Sequence, residues 1–366
     1  MKFAAADIHF MRTAMELAER GKFTAAPNPL VGCVIVNNDE QIIGQGWHKT
    51  YGGPHAEVEA FESIAADHTA LLHESTWYIT LEPCNHVGKT PACAALIEHI
   101  KPKRVVIGIR DFNPEVAGRG LERLRQAGIQ VDCGCLANEL AWQNRRFCWN
   151  TQKNRPWVVL KWATSIDGFM DGRPSEHRLP GSGGFPITSE AAKPLTHTWR
   201  ALEKGIAVGA GTVTVDEPQL NVRSLKAPSP RVVLLDPECI IRPNHPLLLR
   251  DPNAIHVVGT ISSNSDPNCC AWQVNEGLDK LLEQLFTNYG LSSLLVEGGA
   301  MVLNDFLEQG AWNEIKRWTS PLPTKGGLSA PLLPSDTISL PYGHKSSGQI
   351  GMDSWINRLH PRHVFD

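Results

Sequence analysis

The chain has 366 residues, enough for about two domains that each bury a core of their own. With 42% hydrophobic, 20% charged and 7% aromatic residues, the composition excludes a disordered or fibrous protein. Lys plus Arg number 35 against 38 Asp plus Glu, and a net charge of -3 gives no general attraction to a phosphate backbone, so polymeric nucleic acid is not an expected partner. The longest apolar run, Leu30 to Val36, is far shorter than the ~18 residues of a membrane helix. Asp7, Arg12, Glu16 and Glu19 stand where a signal peptide would be apolar. A cytoplasmic protein without a membrane anchor is expected.

The first predicted helix runs from Asp7, read as its N-cap, to Gly21, with Ile8, Met11, Met15 and Ala18 as its core stripe. Val31 to Asn37 and Gln41 to Trp47 flank Asn37-Asn38-Asp39 and predict a hairpin. Next come a helix over His55 to Ala66, a strand over Thr76 to Leu81, a helix over Pro91 to His99 and a strand over Arg104 to Ile109. A helix-strand unit over Gly118 to Val131 and a helix over Ala137 to Asn150 follow. This alternation predicts an α/β fold. Polar Thr151 to Pro156 is the predicted linker, which gives domains 1–150 and 151–366.

The second half restarts with Trp157-Val-Val-Leu160, with further strands expected at Ile206 to Val208, Arg231 to Leu235, Ile255 to Val258 and Leu294 to Val296. Gly172 to Pro186 and Ser320 to Ser347 are rich in Gly, Pro and Ser and are expected to be loops.

Nine cysteines without an export signal argue against a disulfide framework. Cys33, Cys133, Cys135, Cys148, Cys239, Cys269 and Cys270 read as buried filler. Cys84 and Cys93 stand apart, because His55-Ala-Glu57 and Glu82-Pro-Cys84 accompany them. One imidazole and two thiolates give Zn²⁺ three protein ligands and leave a fourth position for water, the coordination of a catalytic site. Glu57, two residues from His55 and not needed as a ligand, is the candidate general acid/base. The pattern is the zinc-deaminase signature H-x-E…P-C-x-x-C, except that eight residues separate the two cysteines. That intervening loop offers Lys89 to an anion or a carbonyl. A zinc-stabilised binding module would keep the ligands but would have no use for Glu57. A nucleoside or tRNA deaminase with an unrelated second domain is the other alternative, disfavoured by the acidic net charge.

Taken with Pro27-Asn28-Pro29-Leu-Val-Gly32 upstream, Gly88-Lys89-Thr-Pro91-Ala-Cys93 between, and Asp111-Phe-Asn113-Pro114 with Gly118-Arg-Gly120 downstream, these motifs resemble those of the bifunctional riboflavin-biosynthesis deaminase/reductases. The resemblance implies a cytidine-deaminase-like zinc domain followed by a dihydrofolate-reductase-like domain that uses NADPH. It implies a deaminase acting on 2,5-diamino-6-(5-phosphoribosylamino)pyrimidin-4(3H)-one, with Asn28, His48 and Lys89 at substrate positions. A soluble homo-oligomer acting on a phosphorylated pyrimidine is the expected form.

No G-x-G-x-x-G follows a strand in the second half, since Gly209-Ala-Gly211 lacks the third glycine, so a classical dinucleotide fold is not expected. Leu160-Lys161-Trp-Ala-Thr164, Ala207 to Arg223 and Glu297-Gly-Gly299 resemble the reductase half of the same family. The resemblance puts Thr164, Thr212, Asp216, Gly299, Ala300, Met301, Val302, Leu303, Asn304 and Asp305 at cofactor positions. It puts Arg200, Leu220, Arg223 and Glu297 at substrate positions, where two arginines suit a ribose phosphate. Gly184 and Pro186, in a stretch that departs from the family pattern, fall at a substrate and a cofactor position respectively.

Overall fold

Strands form at apolar runs such as Thr76–Leu81 and Arg104–Ile109, in a computed structural model that describes residues 3–85, 92–113, 117–259 and 267–361. The chain divides into two units between Lys153 and Asn154. Thr151 to Lys153, expected as linker, instead complete the last helix of the first unit, and only Asn154 to Pro156 stand outside regular structure.

The first unit runs α1 (Ala5–Glu19), β1 (Gly32–Val36), β2 (Ile42–Trp47), α2 (Ala56–Glu62), a 3-10 helix (Ala66–Glu74), β3 (Thr76–Leu81), α3 (Cys93–Ile100), β4 (Arg104–Ile109), α4 (Arg119–Gln126), β5 (Gln130–Cys133), α5 (Ala137–Gln143) and α6 (Arg145–Lys153). Its sheet has the order β2-β1-β3-β4-β5, with β1 antiparallel to both neighbours and β3, β4 and β5 parallel. Both faces are covered, as a largely parallel sheet requires. Ala60, Ile97, Leu121 and Leu124 of α2, α3 and α4 pack on Ile35, Trp77, Ile79 and Ile107. Phe10, Met11, Ala14 and Leu17 of α1, with Leu140 of α5, pack on Val34, Tyr78 and Val106 of the opposite face.

Asp7 is not the N-cap of α1, which is Ala4. It lies inside the first turn, buried, where it accepts the Ala4 N–H at 3.1 Å, the Tyr78 hydroxyl at 3.0 Å and the Arg104 guanidinium at 2.6 Å. The buried stripe is accordingly turned toward Phe10, Ala14 and Leu17, and the expected core residues Ile8 and Met15 lie half-buried at its margin. Gly32 allows α1 to lie on β1, because a Cβ there would stand 1.9 Å from the Ala14 carbonyl oxygen.

The second unit runs β6 (Trp157–Ser165), β7 (Phe169–Asp171), α7 (Lys193–Ala201), β8 (Gly205–Gly209), α8 (Ala210–Asp216), β9 (Arg231–Asp236), α9 (Pro246–Arg250), β10 (Ile255–Val258), β11 (Cys269–Ala271), α10 (Gly277–Thr287), β12 (Ser293–Val296), α11 (Ala300–Glu308), β13 (Glu314–Ser320), β14 (Leu328–Ser329), β15 (Ile338–Ser339), β16 (Ser347–Ile350) and β17 (Asp353–Leu359). Its main sheet has the order β11-β10-β9-β8-β12-β6-β13-β17-β15, and β16 pairs with β17. The strands from β11 to β13 are parallel, and β17 runs antiparallel to β13. Helices α10 and α11 cover one face through Leu281, Leu285, Leu303 and Phe306, while Trp199 of α7 packs on Trp318 at the other. Strand β12 enters between β8 and β6, so the chain reverses direction across the sheet there, and the carboxyl ends of these strands form the crevice where α/β sheets bind ligands.

All nine cysteines are free. Cys239, expected as buried filler, is exposed, and Cys133 and Cys269 are only half-buried.

Candidate active sites

The metal-type residues converge at one end of the first unit. His55 is the N-cap of α2, Cys93 is the first residue of α3, and Cys84 stands in the turn after β3. The His55 Nδ1 lies 3.5 Å from Cys84 Sγ and 3.3 Å from Cys93 Sγ, and all three ligand atoms fall within 4.8 Å of one another. Tetrahedral zinc with ordinary Zn–S and Zn–N bonds needs N···S separations of about 3.6 Å and S···S of about 3.8 Å, so the donor set fits the ion. The Cys93 backbone N–H, free at the start of its helix, donates to Cys84 Sγ at 3.3 Å. Hydrogen bonding from Cys93, then from His55, holds the Cys84 thiol down to about 4 against its burial, while Cys93 is raised in turn.

Glu57 projects from the first turn of α2 and is 3% exposed. Burial pushes its carboxyl up to about 7, with the Cys84 charge adding to the effect. It shares with His55 and Cys84 a cavity of about 220 Å³ whose other walls include Asn28, His48, Leu81, Glu82, Asp111 and Phe147. His48 Nδ1 lies 2.9 Å from the Pro54 carbonyl oxygen, an acceptor, so this nitrogen carries the proton. The other ring nitrogen then accepts from the Asn28 amide at 3.0 Å. Burial lowers the His48 pKa, which favours this neutral ring. Lys89 lies outside the described residues.

In the second unit, β8 passes into α8 through Gly209, and β12 passes into α11 through Gly298 and Gly299. The two turns lie against each other: a Cβ on Gly298 would stand 3.2 Å from the Gly209 N, and one on Gly299 would stand 3.1 Å from Thr212 Oγ1. This bare backbone at two adjacent helix starts fits a phosphate group. Thr164 lies buried near the end of β6, its hydroxyl donating to the Ser165 carbonyl at 3.0 Å. Asp216 closes α8, and its buried Oδ1, without a hydrogen bond, lies 3.7 Å from the Arg173 guanidinium. The stretch that departs from the family pattern is pinned there, with Gly181 N donating to Thr214 O at 2.8 Å and Gly183 N to Val215 O at 3.0 Å. Gly184 and Pro186 are exposed, and a Cβ on Gly184 would come 3.9 Å from Asp216 Cγ.

The segment 299–305 does not act as one surface. Leu303 is fully buried in the core against the sheet, so its side chain is withdrawn from a bound cofactor, whereas Met301, Asn304 and Asp305 are exposed and Val302 is half-buried. Arg200 is likewise committed within the protein. Its Nε and Nη2 reach the two oxygens of Glu297 at 2.9 and 2.8 Å, its Nη1 donates to Asn221 O at 3.1 Å, and Lys161 Nζ lies 3.7 Å from Glu297. The expected free phosphate fork at Arg200 is therefore occupied by a carboxylate. Arg223 is exposed, and one terminal nitrogen of its guanidinium is engaged, Nη1 donating to Gln219 Oε1 at 2.6 Å and Asn221 Oδ1 at 2.7 Å. Leu220 is buried with a left-handed backbone, φ 54°.

Residues 5–109 match the model of the cytidine and deoxycytidylate deaminase zinc-binding region, and residues 156–340 match that of the RibD C-terminal domain. The riboflavin biosynthesis protein RibD of Bacillus amyloliquefaciens is 36% identical over 337 residues, covering 89% of this chain and 87% of its own. The chain belongs to the RibD family. RibD from Acinetobacter baumannii superposes with a TM-score of 0.81 at 31% identity, covering 97% of this chain and 98% of its own. A deaminase/reductase from Thermotoga maritima, described as acting on diaminohydroxyphosphoribosylaminopyrimidine and 5-amino-6-(5-phosphoribosylamino)uracil, gives 0.82 at 30% identity over the same shares. The protein is thus a bifunctional riboflavin-biosynthesis enzyme, with a cytidine-deaminase-like domain and a dihydrofolate-reductase-like RibD C-terminal domain. Among the described residues no helix is long and apolar enough to cross a membrane.

Proposed function

We propose that residues 1–153 deaminate 2,5-diamino-6-(5-phosphoribosylamino)pyrimidin-4(3H)-one with zinc, and that the rest of the chain reduces the ribosyl chain of the product to ribityl with NADPH. The observation that carries the first half is the buried Glu57 carboxyl, facing the same cavity as His55 and Cys84 yet outside the ligand set. His55, Cys84 and Cys93 would hold zinc, which would supply a Lewis acid able to bring the pKa of water to about 7. A carboxyl raised to about 7 by burial suits Glu57 to take a proton from an attacking water and pass it to the ring nitrogen and the leaving amine. Asn28 and His48 orient the pyrimidine: with His48 accepting from Asn28, the amide oxygen of Asn28 is left for the ring edge.

In the second half, NADPH supplies the hydride, and its phosphates suit the paired turns at Gly209 and Gly298-Gly299, with Thr212 beside them. Thr164 and Asp216 border the same crevice. Arg223 is the arginine that meets the substrate phosphate, and Arg200 with Glu297 forms the buried wall beside it. A cytoplasmic homo-oligomer completes this reading. Replacing Glu57 with Gln, nearly isosteric but unable to carry the proton, leaves metal content unchanged and lowers deamination ~10²–10⁴-fold. Full deamination by the variant, read alongside metal analysis, would refute the assignment.

A further inference from the structure

Glu82 precedes the Cys84 turn, is 5% exposed, and stands outside the candidate ligand set, yet its carboxylate collects four backbone N–H groups. Oε1 accepts from Gly120 at 2.9 Å and Leu121 at 3.3 Å, and Oε2 accepts from Gly118 at 2.9 Å and Asp111 at 3.2 Å. Three of these donors belong to the start of α4, whose own N-cap is Gly118, with no side chain to serve it. Glu82 therefore caps α4 from another element, and its negative charge sits at the positive end of that helix.

The contact is close. A Cβ on Gly120 would stand 2.2 Å from the Pro83 carbonyl oxygen, so the first turn of α4 rests directly on the backbone that leads into Cys84. One turn further along, Arg123 donates through Nη1 to Asn85 Oδ1 at 3.0 Å and through Nε to Glu98 Oε2 at 2.7 Å. Asn85 follows Cys84, and Glu98 belongs to α3, the helix that Cys93 opens.

We propose that Glu82 is a positioning residue for the metal centre: it locks α4 onto the Cys84 turn, and α4, through Arg123, locks that turn to the helix bearing Cys93. The separation and aim of the two thiolates are set by this strut. The inference rests on His55, Cys84 and Cys93 being a zinc site.

The test uses the full chain, stripped of metal and titrated with Zn²⁺, and in parallel loaded with Co²⁺ for its visible spectrum. In Glu82→Gln the amide keeps one acceptor oxygen and turns an NH₂ toward two N–H donors, so one side of the clamp is lost. Zinc affinity falls roughly 10–100-fold, the range for groups that orient metal ligands, and the Co²⁺ bands shift, while NADPH-dependent reduction of supplied deaminated substrate is unchanged. Arg123→Met, which leaves the capped helix start intact, lowers affinity in the same direction by a smaller factor, and decides the matter if Glu82→Gln does not accumulate as folded protein. Wild-type affinity and an unshifted Co²⁺ spectrum in the folded variants would overturn the proposal. An unmodified chain that takes up no metal would overturn the zinc reading and the inference with it.

Discussion

Glu297 is buried between two cations, Arg200 and Lys161, and neither state of its carboxyl is neutral in its consequences for the fold. Burial alone would raise its pKa, but Lys161 and Arg200 outweigh burial and hold it at about 2 against an ordinary 4.5. A depressed carboxyl contributes stability above its unfolded pKa and loses it as protons bind the folded state. The second unit should therefore lose stability as pH falls from about 4.5 toward 2. Glu297→Gln leaves Arg200 and Lys161 buried without their counter-charge, a loss of about 3–5 kcal/mol at neutral pH. Thermal melts of both forms check this: the gap in Tm narrows toward pH 2, and a gap independent of pH would contradict it.

Arg223 answers to a different measurement. Arg223→Ala raises the reductase KM for the phosphorylated substrate by about 10- to 150-fold, from the loss of a charge-assisted contact of about 1.5–3 kcal/mol. The KM for NADPH stays near its original value. Steady-state kinetics with each substrate varied in turn separates the two, and an effect confined to NADPH would remove Arg223 from the phosphate site. At this scale the sequence was readable where chemistry is carried by residue type. His55, Glu57, Cys84 and Cys93 stand in a recognisable spacing and the fold brings them together. Glu82 was visible only as part of that spacing, because its partners are backbone N–H groups 29 to 39 residues away, and main-chain donors leave no trace in residue identity.

Among the elements, the turns at Gly209 and Gly298 are the pair most sensitive to a single added carbon. Gly298→Ala puts a methyl group 3.2 Å from both the Gly209 N and the Val302 Cβ, so the start of α11 must back away from α8. Strain of about 1–3 kcal/mol is typical of such overpacking. The expected outcome is a higher KM for NADPH with deamination untouched; unaltered NADPH kinetics would mean that the cofactor's phosphates lie elsewhere. Strands β3 and β4 were read from the sequence with their observed bounds, since Thr76 to Leu81 and Arg104 to Ile109 are short apolar runs with polar punctuation. Strands β13 and β17 were not. Glu314 and Lys316 of β13 are buried, with 3.3 Å between their charged atoms, and Asn357 of β17 donates to Glu314 at 2.7 Å, so two interior strands carry the polar composition of a surface. Pattern reading assigns such residues to water, and only the pairing across strands reveals that they satisfy one another.

At the scale of the whole molecule, Ile35, Trp77 and Ile107 belong to an apolar core of the first unit, and Val158, Leu285 and Phe306 to one of the second. Units that each bury a core of their own are expected to fail separately. Cys84→Ser lowers zinc content and abolishes deamination, while the second unit still reduces deaminated substrate supplied to it. In calorimetry a chelator moves only the transition of the first unit, because a ligand stabilises the state that binds it. Loss of both activities at equal stability would show that the two units depend on each other. The polar stretch Thr151 to Pro156 was legible in the sequence, but the helical state of Thr151 to Lys153 was not, because these residues are polar and helical at once, on the last turn of α6.

The position of β12 bears on how the chain is made. Strand β6 is complete at Ser165, but its sheet neighbours are β12 and β13, which begin at Ser293 and Glu314. On a ribosome adding ~5–20 residues per second, the partner strands follow roughly six to thirty seconds later. Through that interval Trp157-Val-Val-Leu160 has no strand on either side, an apolar ribbon with open edges. The deaminase unit, whose strands are all synthesised by Cys133, meets no such delay. A nascent chain halted before Ser293 would thus carry every strand of the first domain and an unpaired, adhesive β6 of the second.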